Sequence, residues 1–198
     1  MGYLLVVDLE ATCWDSENDP QTTDKMEVIE FGCVVSTWGG EILGSFSQLV
    51  QPVERPLLTG KCTKLTTITQ QMVDEAPVYA DAVRVINAKL DASKFDCWLS
   101  WGNYDRQQLE SHHVRSGISP EFMSVSHVNF RDVYKKHKGS GKKATARSAL
   151  ERCGLSWEGG QHRAEVDALN YARLVPHMAH SIKEILKQGS TARHMNKE

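Results

Sequence analysis

The pattern of apolar and polar residues predicts strands at the start of the chain and helices further along it. A continuous apolar run at residues 3–7 is typical of a strand buried on both faces of a sheet. Gly39-Gly40 predicts a hairpin turn between the second and third strands. The predicted strands cover residues 3–7, 27–38, 41–50, 95–101 and 126–130.

Helical periodicity accounts for most of the remaining chain. An apolar face that follows Pro77 predicts an amphipathic helix over residues 78–90. The other predicted helices begin near Thr69 or cover residues 105–116, 131–137, 142–153 and 163–187, the last as one helix or as two joined near Pro176. Three strands followed by helices that alternate with two more strands indicate an α/β domain.

The segments between these elements are predicted to be irregular. Residues 11–26 are polar and rich in turn-forming residues, so we expect a mobile loop there. The Gly139-Ser140-Gly141 sequence predicts a flexible break. Because no repeat or linker divides the chain, we predict a single domain over residues 1–187 and a flexible C-terminal tail over residues 188–198.

Composition limits the class of protein without identifying it. The chain has 198 residues, of which 40% are hydrophobic and 24% charged, and this suits one globular domain. It has no signal sequence and no apolar run long enough for a membrane helix, so we expect a soluble, cytoplasmic protein with no membrane partner. Its five scattered cysteines favour reduced thiols over disulfides or a zinc site.

Charge is unevenly distributed although the net charge is only −2. Residues 8–30 contain eight acidic residues and one lysine, whereas residues 131–152 contain eight basic residues and two acidic ones. Two such poles on one small domain would suit a cation site beside a polyanion site. Two solvated faces are the commoner explanation of charge runs, so this distribution permits a nucleic-acid partner without predicting one.

Asp8 and Glu10 stand directly after the first apolar run. Residues two apart on a strand point to the same side, so the two carboxylates would share one face. Two like charges at the end of a buried strand are costly unless a positive charge lies between them, and a divalent cation would supply it. For this pair alone, the start of a polar loop is the more common explanation.

Three further residues support the cation. Asp105 begins a helix after a strand and a Gly-Asn turn, although an aspartate there can also be explained by helix capping. His162 follows a glycine turn and Asp167 lies in the first turns of the next helix. Solvation alone is a poor explanation for all four acids.

Four carboxylates and one histidine are the groups that two-metal phosphodiester hydrolysis requires. Oxygen ligands in this number favour Mg²⁺ or Mn²⁺ over zinc. Histidine side chains titrate near neutral pH, so one of them can accept the proton of an attacking water. A mobile loop carrying His162 would allow this residue to close on the substrate.

The sequence resembles a known family, the DEDDh 3′→5′ exonucleases, and most closely their Eri-like (3′ histone-mRNA exonuclease-like) branch. The resemblance spans about residues 3–180. It rests on strings that occur in the expected order: Val6-Val7-Asp8-Leu9-Glu10-Ala11-Thr12-Cys13, Val28-Ile29-Glu30-Phe31-Gly32-Cys33-Val34-Val35, Ser100-Trp101-Gly102-Asn103-Tyr104-Asp105 and His162-x-Ala164-x-x-Asp167-Ala168.

The resemblance implies a ribonuclease H-like fold, with five mixed strands in the order 3-2-1-4-5 flanked by helices. It also implies two bound Mg²⁺ ions, for which Mn²⁺ can substitute. His162 would be the general base, and Glu10 would count as catalytic as well as metal-binding. The implied metal ligands are Asp8, Glu10, Asp105 and Asp167.

The same resemblance implies a set of substrate contacts. Tyr104 would lie against the terminal nucleotide, and the backbone at Ala11 and Thr12 against its sugar. Leu65 and Ile68 match the apolar residues of a Leu-Thr-Gly-Ile segment that wedges the last bases. The implied substrate-binding residues, with His162 among them, are Ala11, Thr12, Leu65, Ile68, Tyr104 and His162.

This chain departs from the family on the substrate side. Thr67 stands where the family has glycine, and Lys61 stands where some relatives carry an aromatic residue. Trp14 could stack on a base or belong to the core. The basic segment Lys135, Lys136, Lys138, Lys142, Lys143 and Arg147 could contact phosphates or form a solvated face.

We therefore expect a metal-dependent enzyme that releases nucleoside 5′-monophosphates from the 3′ ends of single-stranded RNA. The same chemistry on single-stranded DNA is an alternative, as is a non-catalytic nucleic-acid-binding protein on this fold, which the complete set of site residues disfavours. Targeting through a partner protein is a further expectation. The oligomeric state stays open.

Overall fold

The computed structural model describes residues 2–15, 18–138 and 144–195. Its centre is a five-stranded sheet in the order β3-β2-β1-β4-β5, which confirms the predicted mixed sheet. β1 pairs antiparallel with β2, which pairs antiparallel with β3, whereas β1, β4 and β5 run parallel. The strands are β1 (Tyr3–Ala11), β2 (Val28–Ser36), β3 (Ile42–Leu49), β4 (Phe95–Ser100) and β5 (His127–Asn129).

Helices lie between and after these strands. They are α1 (Gly60–Thr66), α2 (Gln70–Asp74), α3 (Tyr79–Lys89), α4 (Tyr104–Ser116), α5 (Phe130–Lys138), α6 (Ala146–Arg152), α7 (Ala164–Ala172) and α8 (Val175–Met195). Among the residues described, none of these helices combines the length and the apolar character that a membrane span would need.

The side-chain period of two on β1 divides the core between the two faces of the sheet. Leu4 and Val6 pack in a cluster with α5, α6, α7 and α8, whereas Leu5 and Val7 pack on the opposite face with α3 and α4. Asp8 continues the first of these two series. The face of β1 that carries Asp8 is therefore the face that α7 covers.

Several boundaries differ from those predicted. β1 continues to Ala11, because its pairing with β2 carries on past the apolar run. α1 was not predicted: Thr59 begins it by accepting a hydrogen bond from the backbone N–H of Cys62, and these polar residues have no clear apolar period.

The C-terminal helical region consists of two helices, α7 and α8, that separate before Pro176. α8 continues to Met195, so helical backbone extends into the predicted tail. The predicted break at 139–141 lies outside the described residues. The domain boundary at residue 187 stays a prediction.

Thr67→Gly is expected to stabilise the protein by about 1 kcal/mol. Thr67 ends α1 with φ +62°, a left-handed conformation that is unfavourable for a β-branched residue and costs glycine nothing. Urea denaturation of the two proteins measures the difference. Thr67→Ala retains a Cβ and should gain much less, and a lower stability of Thr67→Gly than of the parent would contradict the prediction.

Candidate active site

Four carboxylates meet where the amino-terminal part of α7 crosses the sheet. Asp8 and Glu10 project from β1, Asp105 from the first turn of α4 and Asp167 from α7. Their side chains are nearly inaccessible, with exposed fractions of 8% for Asp8, 8% for Glu10, 3% for Asp105 and 7% for Asp167. Buried carboxylates that repel one another call for a positive partner.

Asp105 is placed by the parallel pairing of β1 with β4. α4 begins just after the carboxyl end of β4, so its first turn lies beside the end of β1. The Oδ1 atom of Asp105 accepts a hydrogen bond of 3.0 Å from the backbone N–H of Leu9, between Asp8 and Glu10. This bond holds Asp105 beside both β1 carboxylates.

His162 and Asp167 are joined through the backbone. The N–H of His162 donates to Oδ2 of Asp167 at 3.4 Å, and His162 adopts φ +62°, which turns the chain immediately before α7. The side chain of His162 is exposed. One ligand atom each from Glu10, His162 and Asp167 lie within 4.8 Å of one another, so three separate segments converge on one point.

Glu30 holds the start of α7 against the sheet. This fully buried carboxylate accepts hydrogen bonds from the backbone N–H of Ala164 at 2.9 Å and from the Ser47 hydroxyl at 2.6 Å. It also binds the guanidinium of Arg163 through both Nε and Nη2, the latter at 2.9 Å. Because His162 directly precedes Arg163, this ion pair also restricts where the histidine can lie.

The sheet leaves room for α7 at one glycine of β2. Gly32 pairs with Asp8 across the β1–β2 ladder, so a side chain there would point to the same face as Asp8. A Cβ at Gly32 would lie 2.0 Å from the carbonyl carbon of Ala164. The close contact of α7 with the sheet, which brings Asp167 to the other carboxylates, therefore requires glycine at this position.

Burial and the charges of neighbouring carboxylates raise the pKa of every carboxyl group in this cluster. Burial comes first for each of them. It raises the pKa of Glu10 to about 8, with the Asp167 charge adding to it, and those of Asp105 and Asp167 to about 7. The pKa of Asp8 is also raised well above its usual value, by burial and then by Asp105.

The metal-free protein is expected to lose stability as the pH rises. Unfolded carboxyl groups titrate near pH 4, whereas Glu10, Asp105 and Asp167 titrate at about 8, 7 and 7 in the folded protein. Between these values the unfolded chain releases protons that the folded chain retains, so the free energy of unfolding falls from about pH 4 to about pH 8. Thermal unfolding in EDTA across this range measures it.

Mg²⁺ should flatten this dependence, because a cation favours the charged carboxylates. An unfolding temperature in EDTA that rises through the same pH range would contradict the assignment of protonated carboxyl groups to the cluster.

The loop before His162 is fixed to α7 by side chains. The Asn170 amide accepts from the backbone N–H of Glu158 at 3.0 Å and donates to its carbonyl at 2.8 Å. Arg173 pairs with the Glu158 carboxylate and donates to the carbonyl of Ser156. The closing movement expected of His162 would have to break these contacts or take place beyond them.

The predicted substrate contacts fall into two groups. Leu65 and Tyr104 expose part of their side chains, and the Tyr104 hydroxyl lies 3.8 Å from the sulfur of Met26. Ala11 and Thr12 are buried at the end of β1. Ile68 has no exposed surface and packs in the core, so no substrate can reach its side chain in this structure. Of the two residues predicted to wedge the last bases, only Leu65 has an exposed side chain.

Trp14 belongs to the protein interior, which resolves the alternatives that the sequence left open. Its indole N–H donates to the carbonyl of Asp19 at 2.7 Å, and the Arg55 guanidinium lies 4.0 Å from the ring centre. Lys61 forms an ion pair with Asp15 on the same loop. Both residues stabilise the loop after β1.

The described residues include only part of the predicted basic segment. Lys135 and Lys136 lie on α5, and the Arg147 guanidinium stands over the Trp157 ring at 5.8 Å. Lys142 and Lys143 lie outside the described residues, so a role in phosphate contact stays a prediction.

The residues of the cluster fit divalent cations. The Oδ1 atom of Asp167 is buried and has no hydrogen-bond partner among the described residues, although a buried carboxylate oxygen normally has one. Carboxylate oxygens supplied by separate elements are the ligands that Mg²⁺ and Mn²⁺ prefer. An ion among these carboxylates would satisfy the unpartnered oxygen and offset the repulsion that raises the pKa values.

One interaction around this cluster was missing from the sequence interpretation. The Glu30–Arg163 ion pair joins residues 133 positions apart. No local signal in the sequence could have revealed it, because it depends on the tertiary fold.

Comparison with known proteins places this geometry in a family. The family model described as Exonuclease (RNase_T) matches residues 5–175. The probable 3′-5′ exonuclease KapD of Bacillus subtilis is 33% identical over 174 residues, which cover 86% of this chain and 82% of that protein. ERI1 exoribonuclease 2 of Danio rerio is 28% identical over 198 residues, covering 89% of this chain but only 35% of that longer protein.

A solved structure has the same fold. The nuclease domain of 3′hExo, a DEDDh family member bound to rAMP, superimposes with a TM-score of 0.80 at 25% identity and covers 90% of this chain and 92% of that one. DEDDh exonucleases use divalent metal ions, which agrees with the carboxylate cluster. The chain belongs to the exonuclease family, as a DEDDh 3′→5′ exonuclease of the Eri-like branch.

Proposed function

We propose that this protein removes nucleotides one at a time from the 3′ ends of single-stranded RNA and releases nucleoside 5′-monophosphates. The observation that carries this proposal is the convergence of four buried carboxylates, one of them with an unpartnered oxygen, beside an exposed histidine. Two Mg²⁺ ions are the proposed cofactors, and Mn²⁺ is expected to substitute for them.

Asp8, Glu10, Asp105 and Asp167 are the residues that would hold the ions. When bound, such ions stabilise the attacking and leaving oxygens of an in-line displacement at phosphorus. The chain itself supplies rigidity, because Asp8 and Glu10 lie on the central strand and Asp105 is hydrogen-bonded to that strand. Because these ligands keep their arrangement before the substrate binds, less free energy is needed to reach the transition state.

His162 is the proposed general base. Its imidazole is exposed, yet one ring nitrogen lies within 4.8 Å of oxygens of Glu10 and Asp167. Its backbone is held by Asp167 on one side and by the Arg163–Glu30 ion pair on the other. A base in this position can accept the proton of a water beside the carboxylates and return it to solvent.

The substrate side is proposed from position. Leu65 and Tyr104 offer apolar surface for the terminal base, and the backbone of Ala11 and Thr12 at the end of β1 is suited to the terminal sugar. Support for RNA comes from relatives: one is named an exoribonuclease, and the similar solved nuclease domain holds a ribonucleotide. A targeting partner protein remains part of the proposal.

The test uses single-stranded RNA and DNA of one sequence, each labelled at the 5′ end, in Mg²⁺ or in EDTA. The expected result is shortening from the 3′ end in Mg²⁺, faster for RNA than for DNA, with no reaction in EDTA. A 3′-phosphate should block the reaction, whereas a 5′-phosphate should not.

Faster degradation of DNA would replace the proposed substrate, and full activity in EDTA would contradict the metal mechanism. His162→Ala is expected to reduce kcat by about 10²–10⁴-fold without preventing metal binding. Its control is His113→Ala, which removes a histidine from the last turn of α4.

A further inference from the structure

Arg131 differs from the other half-buried arginines in having no partner for its guanidinium among the described residues. Its Nε atom is buried without a hydrogen-bond partner. Four other arginines are buried to a similar degree, and each donates to a carboxylate or to a backbone carbonyl group: Arg55, Arg115, Arg163 and Arg173. Because a buried N–H group without a partner is unfavourable, packing within the protein does not by itself explain Arg131.

The acid that follows Arg131 in the sequence does not pair with it. The Oδ2 atom of Asp132 accepts a hydrogen bond of 2.8 Å from the Asn129 amide, which also donates to the Asn103 side chain at 3.1 Å. No ion pair between described residues joins Arg131 to a carboxylate, those of the active-site cluster included. The described part of the protein therefore leaves the charge and the donors of Arg131 unused.

Arg131 lies at the same edge of the sheet as the carboxylate cluster. β4 and β5 run parallel and Ser100 pairs with Asn129, so the segments that follow these strands leave the sheet side by side. The guanidinium carbon of Arg131 lies 3.5 Å from the position that a Cβ on Gly102 would occupy, just after β4. Because β4 lies between β5 and β1, the Arg131 side chain extends towards the strand that carries two of the carboxylates.

The turn that Arg131 covers leads into the substrate side of the site. Gly102, at φ +102°, is followed by Tyr104, the proposed contact of the terminal base, and by Asp105. In open α/β sheets, ligands bind beyond the carboxyl ends of the parallel strands. Lys135 lies one helical turn after Arg131 on the same face of α5. A negatively charged strand that leaves the cluster across this turn would meet two positive charges.

We infer that Arg131 binds a backbone phosphate of the RNA strand on the 5′ side of the phosphodiester that is hydrolysed. This inference rests on the proposed function. A planar guanidinium can donate two parallel hydrogen bonds to the oxygens of one phosphate. The hydrolysed phosphodiester would lie at the cations among the carboxylates, and Arg131 pairs with none of these groups. An earlier phosphate of the strand is therefore the one that reaches it.

The test is Arg131→Gln, which removes the charge and keeps a polar side chain. Fluorescence anisotropy in EDTA measures the binding of a dye-labelled single-stranded RNA without hydrolysis. Kd should rise about tenfold at low salt, and the slope of log Kd against log salt concentration should become shallower by about 0.7, as for one phosphate contact. In Mg²⁺, KM should rise to a similar extent with little change in kcat, because the contact is present before and during the reaction.

A set of modified oligonucleotides locates the phosphate. Each carries one uncharged methylphosphonate in place of a phosphate, at a different distance from the 3′ end. For the parent protein, one upstream position should weaken binding about as much as Arg131→Gln does, and for the variant the same replacement should have little further effect. Arg131→Lys retains the charge without the planar group and should recover only part of the affinity.

Arg84→Gln is the matched control. Arg84 is exposed on α3, where it pairs with Asp81, and α3 packs on the face of the sheet opposite to α5. The variant loses the same charge, but Kd and the salt dependence of binding should stay unchanged. Thermal unfolding of each variant separates a lost contact from a loss of folded protein.

A Kd of folded Arg131→Gln within about twofold of the parent would overturn the inference and leave the proposed function intact. An equal loss of affinity in Arg84→Gln would also overturn it, because the net charge of the protein would then explain the result. The same holds for a loss that no single upstream methylphosphonate reproduces, or that only the 3′-terminal phosphodiester reproduces. A parent protein that neither binds nor degrades RNA would refute the proposed function first.

Discussion

Asp8→Asn is expected to abolish exonuclease activity and at the same time to stabilise the metal-free protein. Activity should fall by about 10³-fold or more, because the metal site contributes several kcal/mol to the transition state and each ~1.4 kcal/mol is tenfold in rate. Stability should rise because Asp8 is a buried acid whose pKa is raised by burial and by Asp105, Glu10 and Asp167. An amide of the same shape removes that repulsion.

Two measurements check this pair of opposite effects. The first is the rate of RNA shortening in Mg²⁺, and the second is the unfolding temperature in EDTA at about pH 8, where the repulsion between carboxylates is greatest. Mg²⁺ should raise the unfolding temperature of the parent protein and raise that of the variant much less.

The control is Asp81→Asn on α3, an exposed aspartate paired with Arg84 on the same helix, which should change neither quantity. If Asp8→Asn retained activity, or lowered the unfolding temperature in EDTA, the repulsive carboxylate cluster would be the wrong description of the site.

Three residues of the cluster have a local signal in the sequence. Asp8 and Glu10 are two apart after an apolar run, and Asp105 follows a strand and a Gly-Asn turn. These patterns depend on side-chain direction in strands and on how helices begin, both of which are set by neighbouring residues. The predicted strand order depended on a family resemblance, and the structure has the same order.

Interactions between distant segments could not be predicted in this way. Trp14 lies in a polar stretch that suggests an exposed loop, yet Arg55 and Asp19 bury it through contacts that no local pattern encodes. Ile68 was expected to reach substrate, but its contacts in the core leave it no exposed surface. Substrate contacts are therefore the part of the site where tertiary packing changes the sequence interpretation most.

The docking of α7 depends on tertiary structure in the same way, and Gly32 gives the sharpest test of it. Gly32→Ala is expected to destabilise the protein by about 3 kcal/mol and to reduce activity at least about 100-fold. The added Cβ would lie 2.0 Å from the backbone of Ala164, so either α7 or the β1–β2 hairpin must move. His162 and Asp167 would move with α7, away from the carboxylates on β1.

Gly44→Ala is the matched control for this change. Gly44 also lies in a strand of the same sheet, but a Cβ there would meet nothing within 4 Å, so stability should change by no more than about 0.5 kcal/mol and activity should be retained. Urea denaturation in EDTA separates the effect on folding from any effect on metal binding, and the rate of RNA shortening in Mg²⁺ measures the effect on the active site.

A Gly32→Ala protein with the stability and activity of the parent would mean that α7 does not approach β2 as closely as this structure has it. Loss of activity with unchanged stability would indicate instead that α7 can shift at little energetic cost, so that the alignment of Asp167 with Asp8 is a property of this contact and not of the sheet alone.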